Sequence, residues 1–369
     1  MHKKQVAVID IGSSEIRALV GEKGVNNTFI IKGKTSFPYD GFQDGEFFDL
    51  NNLKSILLSC GDYLKKVSRG DVGTVYVGVP GAFTEVMVKS SQISFPKEKK
   101  ITEEDVSNLF DAAFIVNSSK KTLINRSAIM YELNDFRRMA NPIGIQSEIL
   151  KGKLSFVLCD NYFIECVKPA LNATGFVDVE FVSTALAEAM FLFDTESRDR
   201  ISILVDVGYI TTTFSVIQGD GIVYQRSFDY GGGYITAAIL ERFNMEFEDA
   251  EVVKRKMNLS HISTGSAFEV VDGENGHYYN TEEIKKVISD SLDNFCDEIA
   301  ICMERVPFVI PEYVAIKITG GGLAFIRGAK EYVASRMNVA FDVIAPQVPL
   351  MDSPLESSSL SLLNIALEQ

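Results

Sequence analysis

The chain has 369 residues and a formal net charge of −14, and 46% of its residues are hydrophobic. This length predicts two or more domains, and the apolar fraction excludes a disordered protein. The acidic balance disfavours nucleic acid as a partner, and scattered cysteines without a secretory start or a long apolar run predict a cytoplasmic protein with reduced thiols.

Strand-like and helical patterns alternate along the chain, which indicates an α/β architecture. Residues 1–35 have the pattern of a strand hairpin or meander. The segment Leu50–Val67 has apolar residues at helical spacing, with Asp49 as its predicted N-cap. The stretch "TVYVGVPG" then predicts a buried strand that ends at a Pro-Gly turn.

The pattern changes between about residues 80 and 157, which we interpret as an inserted subdomain. A strand pair is predicted around 83–96. The stretch "ITEEDVSNLFDAAFIV" predicts a helix in which Thr102 and Asp105 have the spacing of a capping box. The stretch "KLSFVLCD" then predicts a buried strand, and a second α/β unit begins near Ile201.

One sequence pattern occurs twice, in "VAVIDIGSSEIRALV" and in "ILVDVGYITTTFSV". Each copy has an apolar strand, an aspartate, a glycine two residues later, and a second strand. Two unrelated hairpins closed by Asp-x-Gly turns are the alternative, since both residues are common in turns. Two copies after buried strands favour a repeated unit, in which Asp10, Gly12, Ser13 and Ser14 correspond to Asp206, Gly208, Tyr209 and Ile210.

Turns of this kind are suited to binding phosphate. Successive backbone N–H groups point into a concavity, and glycine allows close approach. An aspartate at the end of each strand would hold Mg²⁺ through water molecules. Two such turns across an interdomain cleft would clamp a triphosphate, and the triple-glycine turn in "VAIKITGGGLAFIRG" would contact the nucleoside.

These three motifs, in this order, resemble the phosphate and adenosine motifs of the actin/chaperone/sugar-kinase superfamily. Within it, the chain resembles the FtsA family of bacterial cell-division proteins, in stretches such as "DGFQDGEFFDLNNLKSILLSC", "YGGGYITAAI" and "DAEVVKRK" and in the place of the insertion. The resemblance implies an α/β, two-domain actin-like (ribonuclease H-like) fold with an inserted FtsA-type subdomain.

The resemblance also implies where the subdomains begin and end. The expected ranges are 1–79 and 158–200 for subdomain IA, 80–157 for the inserted subdomain IC of the SHS2 type, 201–246 and 311–345 for IIA, 247–310 for the mostly helical IIB, and 346–369 for a closing segment on IA.

The resemblance implies a site for ATP and Mg²⁺ between the two domains. Asp10 and Asp206 would serve the metal ion. Arg17 would reach a phosphate, or would lie solvated on its strand. The residues that would line the phosphates are Gly12, Ser13, Ser14, Gly208, Thr211 and Thr212.

Other residues would contact the nucleoside end. Glu251 and Lys254, one helical turn apart, would reach the ribose or adenine, and an exposed i,i+3 ion pair is the alternative. The glycines that would approach the nucleotide are Gly232 and Gly233 from the second domain and Gly320, Gly321 and Gly322 from the adenosine motif.

The second phosphate turn departs from the family pattern. Tyr209 and Ile210 occupy the second and third glycine positions, and Thr213 replaces the final aspartate. A side chain at either former glycine position would hinder close approach to phosphate, and loss of the carboxylate at position 213 would weaken positioning of the metal ion or of water. Glu188 lies near the region of a general base, but its helical spacing is equally consistent with a structural role. At most a weak ATPase is expected.

The resemblance implies an FtsA-like, ATP-binding, filament-forming scaffold or adaptor in cell division, whose partner is an FtsZ-like tubulin homologue or another division protein. A PilM-like pilus-assembly adaptor and a nucleotide-independent pseudo-ATPase are alternatives, and a small-molecule kinase is disfavoured. The stretch "SSSLSLLNIALEQ" predicts a closing helix and contains no Lys or Arg. We therefore expect no direct membrane anchor, and recruitment to the division site through protein contacts.

Overall fold

The protein, for which we use a computed structural model, contains three larger β-sheets and helices on their faces. The structure describes residues 4–25, 28–70, 72–114, 119–260, 270–272 and 278–368.

The first elements include four of the five strands of an N-terminal sheet, a separate two-stranded sheet and a helix. They are β1 (Gln5–Ile11), β2 (Glu15–Lys23), β3 (Phe29–Pro38), β4 (Phe42–Gln43), β5 (Glu46–Phe47), α1 (Leu50–Val67) and β6 (Thr74–Val79). The predicted bounds of α1 are confirmed, and Asp49 caps the helix by accepting hydrogen bonds from the N–H groups of Asn51 and Asn52. The helix buries Leu53 and Leu57 on the face that packs on the sheet.

A separate middle sheet follows, in the strand order β7-β10-β8-β9. Its elements are β7 (Thr84–Lys100), α2 (Glu103–Ala113), β8 (Lys121–Leu133), β9 (Arg138–Met139) and β10 (Gln146–Asp160). The predicted capping box of α2 is confirmed, because Thr102 and Asp105 each accept a hydrogen bond from the other's backbone N–H. Two residues of the predicted helix, 115–116, lie outside the described residues.

The strand pair predicted around 83–96 is wrong, since this stretch belongs to one long strand, β7. Pro96 lies within this strand. Strand β7 lies at the edge of the sheet, where the missing N–H of proline is tolerated. Pro96 also lies between Ser94 and Lys99, where the pairing with β10 shifts.

The chain then completes the N-terminal sheet and enters the C-terminal sheet. The elements up to the second turn are α3 (Asn161–Ala173), β11 (Asp178–Ser183), α4 (Thr184–Leu192), α5 (Thr195–Asp199) and β12 (Ser202–Val207). Helix α4 buries side chains on every face, from Thr184 to Ala189, because it lies between the two sheets.

The rest of the chain completes the C-terminal sheet and adds helices, a separate two-stranded sheet and a closing helix. The elements are β13 (Thr212–Gln218), β14 (Gly221–Phe228), α6 (Gly232–Phe243), α7 (Phe247–Lys256), β15 (Val270–Asp272), β16 (Tyr278–Asn280), α8 (Thr281–Glu304), β17 (Ile316–Thr319), α9 (Gly321–Ala324), α10 (Ala329–Met337), β18 (Phe341–Val343) and α11 (Ser357–Glu368). Within the expected helical excursion, residues 261–269 and 273–277 lie outside the described part of the chain.

The repeated sequence pattern corresponds to a repeated topology. The N-terminal sheet has the order β11-β6-β1-β2-β3, and the C-terminal sheet has the order β18-β17-β12-β13-β14. In each sheet, the strand that carries the aspartate pairs antiparallel with the next strand along the chain and parallel with a later strand. Asp10 and Asp206 therefore occupy equivalent positions, opposite Arg17 and Thr213.

The closing helix packs on the N-terminal sheet. Leu360, Leu362 and Leu363 of α11 join Val8 and Leu19 in one buried cluster. The helix begins at Ser357, the first residue of the predicted stretch. This start brings the first turn of α11 to the cleft between the N-terminal and C-terminal sheets.

Candidate functional site

The two Asp-x-Gly turns meet in the cleft between the N-terminal and C-terminal sheets. In the first, the N–H of Gly12 donates to the carbonyl of Glu15 at 3.0 Å; in the second, that of Gly208 donates to Thr211 at 2.9 Å. Between the turns, the backbone N–H of Ile210 donates directly to Oγ of Ser13 at 2.9 Å. The turns therefore close on each other.

Three carboxyl groups lie beside this contact, around a cavity of about 70 Å³. Asp10 is buried, and its Oδ2 accepts a hydrogen bond from Ser358 at 2.5 Å. Glu188 is buried on α4, and neither of its carboxylate oxygens has a hydrogen-bond partner among the described residues. Asp206, at the end of β12, is the third.

Burial and mutual repulsion keep protons on this cluster. Burial raises the pKa of Asp10, although the Arg17 guanidinium opposes the shift. Burial and the Asp10 carboxylate raise the pKa of Asp206 to about 7. Burial, followed by repulsion from Asp206 and Asp10, raises the pKa of Glu188 well above its usual value. Near neutral pH, the cluster carries fewer than three negative charges.

A second cavity, of about 270 Å³, forms the mouth of the cleft. It brings together many of the residues that the sequence assigned to the site, namely Asp10, Gly12, Ser13, Ser14, Arg17, Asp206, Gly208, Gly320 and Gly321. Thr211 lines the smaller cavity.

The other assigned residues line neither cavity. Thr212 is fully buried, and its hydroxyl donates to the carbonyl of Tyr230 at 2.5 Å. Gly232 and Gly322 pack against each other, since a Cβ on Gly232 would lie 2.7 Å from the Gly322 carbonyl oxygen. The N–H groups of Gly232 and Gly233, at the start of α6, already donate to the second turn at 3.0 and 2.7 Å.

Arg17 is neither solvated nor free to reach a phosphate. Its side chain is buried, and Nη1 donates to the carbonyl of Leu355 at 2.6 Å. Nη2 pairs with the carboxylate of Glu15, and Nη1 lies 3.9 Å from Oδ2 of Asp10. Arg17 thus ties β2 to the segment that precedes α11.

Glu251 and Lys254 form a buried ion pair rather than the exposed pair of the alternative interpretation, with Nζ 2.5 Å from Oε1. Nζ also donates to the Gly232 carbonyl at 3.0 Å and to Thr236 Oγ1 at 2.7 Å. Burial lowers the pKa of Lys254. Burial opposes ionisation of Glu251, but hydrogen bonds from Lys254 and Thr236 hold its pKa below the usual value. The pair joins α7 to α6.

The segment before α11 forms a wall of the cleft that the sequence analysis missed. The carbonyl of Pro354 accepts from the Gly320 N–H at 3.3 Å, and the Ser357 and Thr319 hydroxyls lie 2.6 Å apart. Together with Leu355 and Ser358, these residues bridge the two sides of the cleft. The serine run in the sequence was the available signal, but such runs are common in exposed loops.

The cleft, as these residues arrange it, does not fit a nucleoside triphosphate. The mouth is smaller than the roughly 300–1,000 Å³ usual for ligand pockets, and the inner cavity has room for a few water molecules. A phosphate between the turns would have to break the Ser13–Ile210 hydrogen bond. Among the described residues, no three acidic, Cys or His side chains are arranged to hold a metal ion.

A second polar groove, of about 660 Å³, opens elsewhere between the same two sheets. There the N–H of Asp44, in the β4–β5 turn, donates to Oδ2 of Asp229 at 3.1 Å. Burial, followed by the Asp44 carboxyl group, raises the pKa of Asp229 to about 6. The folded protein therefore retains a proton on Asp229 that the unfolded chain releases above about pH 4.

We expect Asp229→Asn to stabilise the protein above pH 6 and to leave its stability near pH 4 unchanged. A raised folded-state pKa means that the contribution of Asp229 to stability declines as pH rises from about 4 to 6. Urea unfolding at several pH values measures this. Asp44→Asn should act in the same direction, whereas exposed Asp62→Asn is the control. A pH-independent effect would contradict the assignment.

Comparisons with known proteins agree with this architecture. Residues 164–270 match the family model "Type IV pilus assembly protein PilM". The FtsA cell-division protein of Staphylococcus epidermidis is 23% identical and covers 99% of this chain and 79% of its own length. The Escherichia coli K12 FtsA is 22% identical over 68% of this chain, and the match spans 60% of the length of that relative.

Solved structures share the fold. The PilM-PilN type IV pilus biogenesis complex aligns over 100% of both chains, with a TM-score of 0.67 and 17% identity. MreB5 of Spiroplasma citri bound to ADP aligns over 98% of this chain and 95% of its own, with a TM-score of 0.56 and 13% identity.

Within the described ranges, no helix combines the length and apolar character needed to cross a membrane. The α/β actin-like fold is confirmed by the structural similarities, and the similarity to FtsA extends along nearly the whole chain. The chain is therefore FtsA-like in sequence, as a divergent relative, and has the actin-like fold.

Proposed function

We propose that this protein is a scaffold or adaptor of the FtsA type in bacterial cell division, which acts through protein contacts and not through ATP hydrolysis. The alignment with FtsA over 99% of the chain supports the cellular role. The closed cleft supports a role in protein contacts and not in ATP hydrolysis. This conclusion depends on one observation, the Ser13–Ile210 hydrogen bond across the cleft.

ATP and Mg²⁺ would enter this cleft only after its two sides separate. Asp10 and Asp206 would then face the metal ion, and the two turns would supply backbone donors to the phosphates. The free energy of breaking the closed contacts is subtracted from the binding energy, so we expect weak affinity or none. We also expect turnover far below about 1 s⁻¹, because burial and the neighbouring carboxyl groups keep a proton on Glu188, the candidate general base.

The proposed partner is an FtsZ-like tubulin homologue or another division protein, at the inner face of the membrane. The exposed side of α8 is acidic and includes Glu282, Asp290 and Asp297. Such a face suits a basic or amphipathic peptide, because opposite charges steer the encounter. Self-association into actin-like filaments is a second part of the proposal.

The test is fluorescence anisotropy with a labelled carboxyl-terminal peptide of FtsZ, together with sedimentation and electron microscopy of filaments. We expect binding and assembly to be the same with and without Mg·ATP. Asp290→Lys should weaken peptide binding several-fold, whereas Glu104→Lys on α2, which is also exposed, should not. Absence of peptide binding, or assembly that requires ATP, would contradict the proposal.

A pilus-assembly adaptor is the second candidate. The PilM family match over residues 164–270 and the TM-score of 0.67 to the PilM-PilN complex favour it. The same anisotropy assay with a short peptide from a PilN-type protein separates the two functions, because each predicts binding of one peptide and not of the other.

A further inference from the structure

The second turn carries a tyrosine whose side chain extends from the turn into the C-terminal half of the cleft. A Cβ on Gly233 would lie 2.7 Å from Cε1 of Tyr209, so the ring is in contact with the backbone at the start of α6. The ring of Phe247 meets it edge-on, with the centroids 6.4 Å apart. Glycine at position 233 is what leaves room for the phenol ring.

Tyr209 also satisfies the polar groups around it. Its hydroxyl donates to Oε1 of Glu251 at 3.3 Å, and Nζ of Lys254 lies 5.6 Å from the ring centroid. Burial raises the pKa of Tyr209 to about 12, so that the phenol remains a hydrogen-bond donor. The Tyr209 side chain thus contacts Lys254 with its ring and Glu251 with its hydroxyl.

Backbone contacts hold the tyrosine in this position. The carbonyl of Tyr209 accepts from the Gly233 N–H at 2.7 Å, and the next residue, Ile210, donates to Ser13 across the cleft. These contacts fix the backbone from which the ring projects, and the hydrogen bond to Glu251 and the contact with Phe247 hold the ring itself. A ligand that binds in this volume must displace the Tyr209 ring. The ring is part of the chain and therefore has a high effective concentration there.

We infer that Tyr209 is a built-in occupant of the cleft, which takes the place of a nucleoside phosphate and keeps that class of ligand out. The inference rests on the proposed function, in which the Ser13–Ile210 contact closes the space between the turns, and it assigns exclusion of the ligand beside Glu251 to the ring of Tyr209. Beneath the ring, Glu251, Lys254 and Thr236 remain as polar groups. Removal of the ring would join this network to the cavity at the mouth.

The test compares Tyr209→Gly and Tyr209→Phe with the wild-type protein, by calorimetric titration of Mg·ADP. Mg·ADP is the probe because the Ser13–Ile210 contact closes the space between the turns. We expect at least tenfold tighter binding to the glycine variant than to wild type. The phenylalanine variant keeps the ring and loses the hydroxyl, and it should bind no better than wild type.

Two further measurements make the result decisive. Thermal unfolding shows whether the glycine variant is folded, and Tyr209→Ala, which leaves the backbone less flexible than glycine does, replaces it if it is not. Adding Asp10→Ala to the binding-competent variant should reverse the gain if the ligand enters this cleft. Equal affinity of the glycine or alanine variant and the phenylalanine variant would overturn the inference and leave the proposed function intact. Tight binding of Mg·ADP by the wild-type protein would overturn both.

Discussion

Replacing Glu251 by alanine is expected to lower the free energy of unfolding by about 3 kcal/mol, the usual cost of removing one partner from a buried ion pair. The substitution leaves the Lys254 ammonium buried without its counter-charge, in contact with the Gly232 carbonyl and Thr236. Thr236 and Tyr209 also lose an acceptor. Urea unfolding at pH 7 measures the change.

Two variants isolate the cause of this loss. Glu251→Ala combined with Lys254→Met removes the stranded charge, so the double variant should be more stable than Glu251→Ala alone. Glu248→Ala, at an exposed position of the same helix, should change stability by less than about 0.5 kcal/mol. A loss in Glu251→Ala no larger than that in the control would show that the pair does not stabilise the junction of α6 and α7.

Replacing Glu188 by glutamine is expected to have the opposite effect, an increase on the order of 2 kcal/mol at pH 7. The folded protein keeps Glu188 protonated because burial and two neighbouring carboxyl groups raise its pKa. The unfolded chain releases this proton above about pH 4, so each further pH unit lowers stability by about 1.4 kcal/mol until the folded-state pKa is reached. Glutamine removes this penalty and keeps the shape.

The sign of the pH dependence distinguishes this cause from a general packing effect. The contribution of a group with a raised folded-state pKa is fully present at low pH and is lost as pH rises. The gain from Glu188→Gln should therefore be small near pH 4 and largest above pH 7 in urea unfolding. Glu180→Gln, at an exposed position on β11, should show no such trend. A gain that is equal at both pH values would refute the assignment.

The sequence alone was sufficient for features that depend on neighbouring residues. The bounds and cap of α1 and the capping box of α2 follow from periodicity and from side chains within three residues of the helix start. The duplicated Asp-x-Gly pattern predicted two equivalent turns, and the two sheets have equivalent strand orders. Strand β7 can continue past Pro96 because it lies at the edge of its sheet. Which strand lies at an edge depends on distant segments, so the local sequence did not predict it.

The state of the cleft depended on tertiary structure. The sequence predicted that Tyr209 and Ile210 would hinder the approach of phosphate. It did not predict that the Tyr209 ring would fill the space beside Glu251, or that Ile210 would hydrogen-bond to Ser13, 197 positions away. Nor did it show that Ser358 would bond to Asp10, 348 positions away. Local sequence determined that two Asp-x-Gly turns would form. The packing of distant segments against them, which periodicity and spacing do not encode, determined that those turns close on each other.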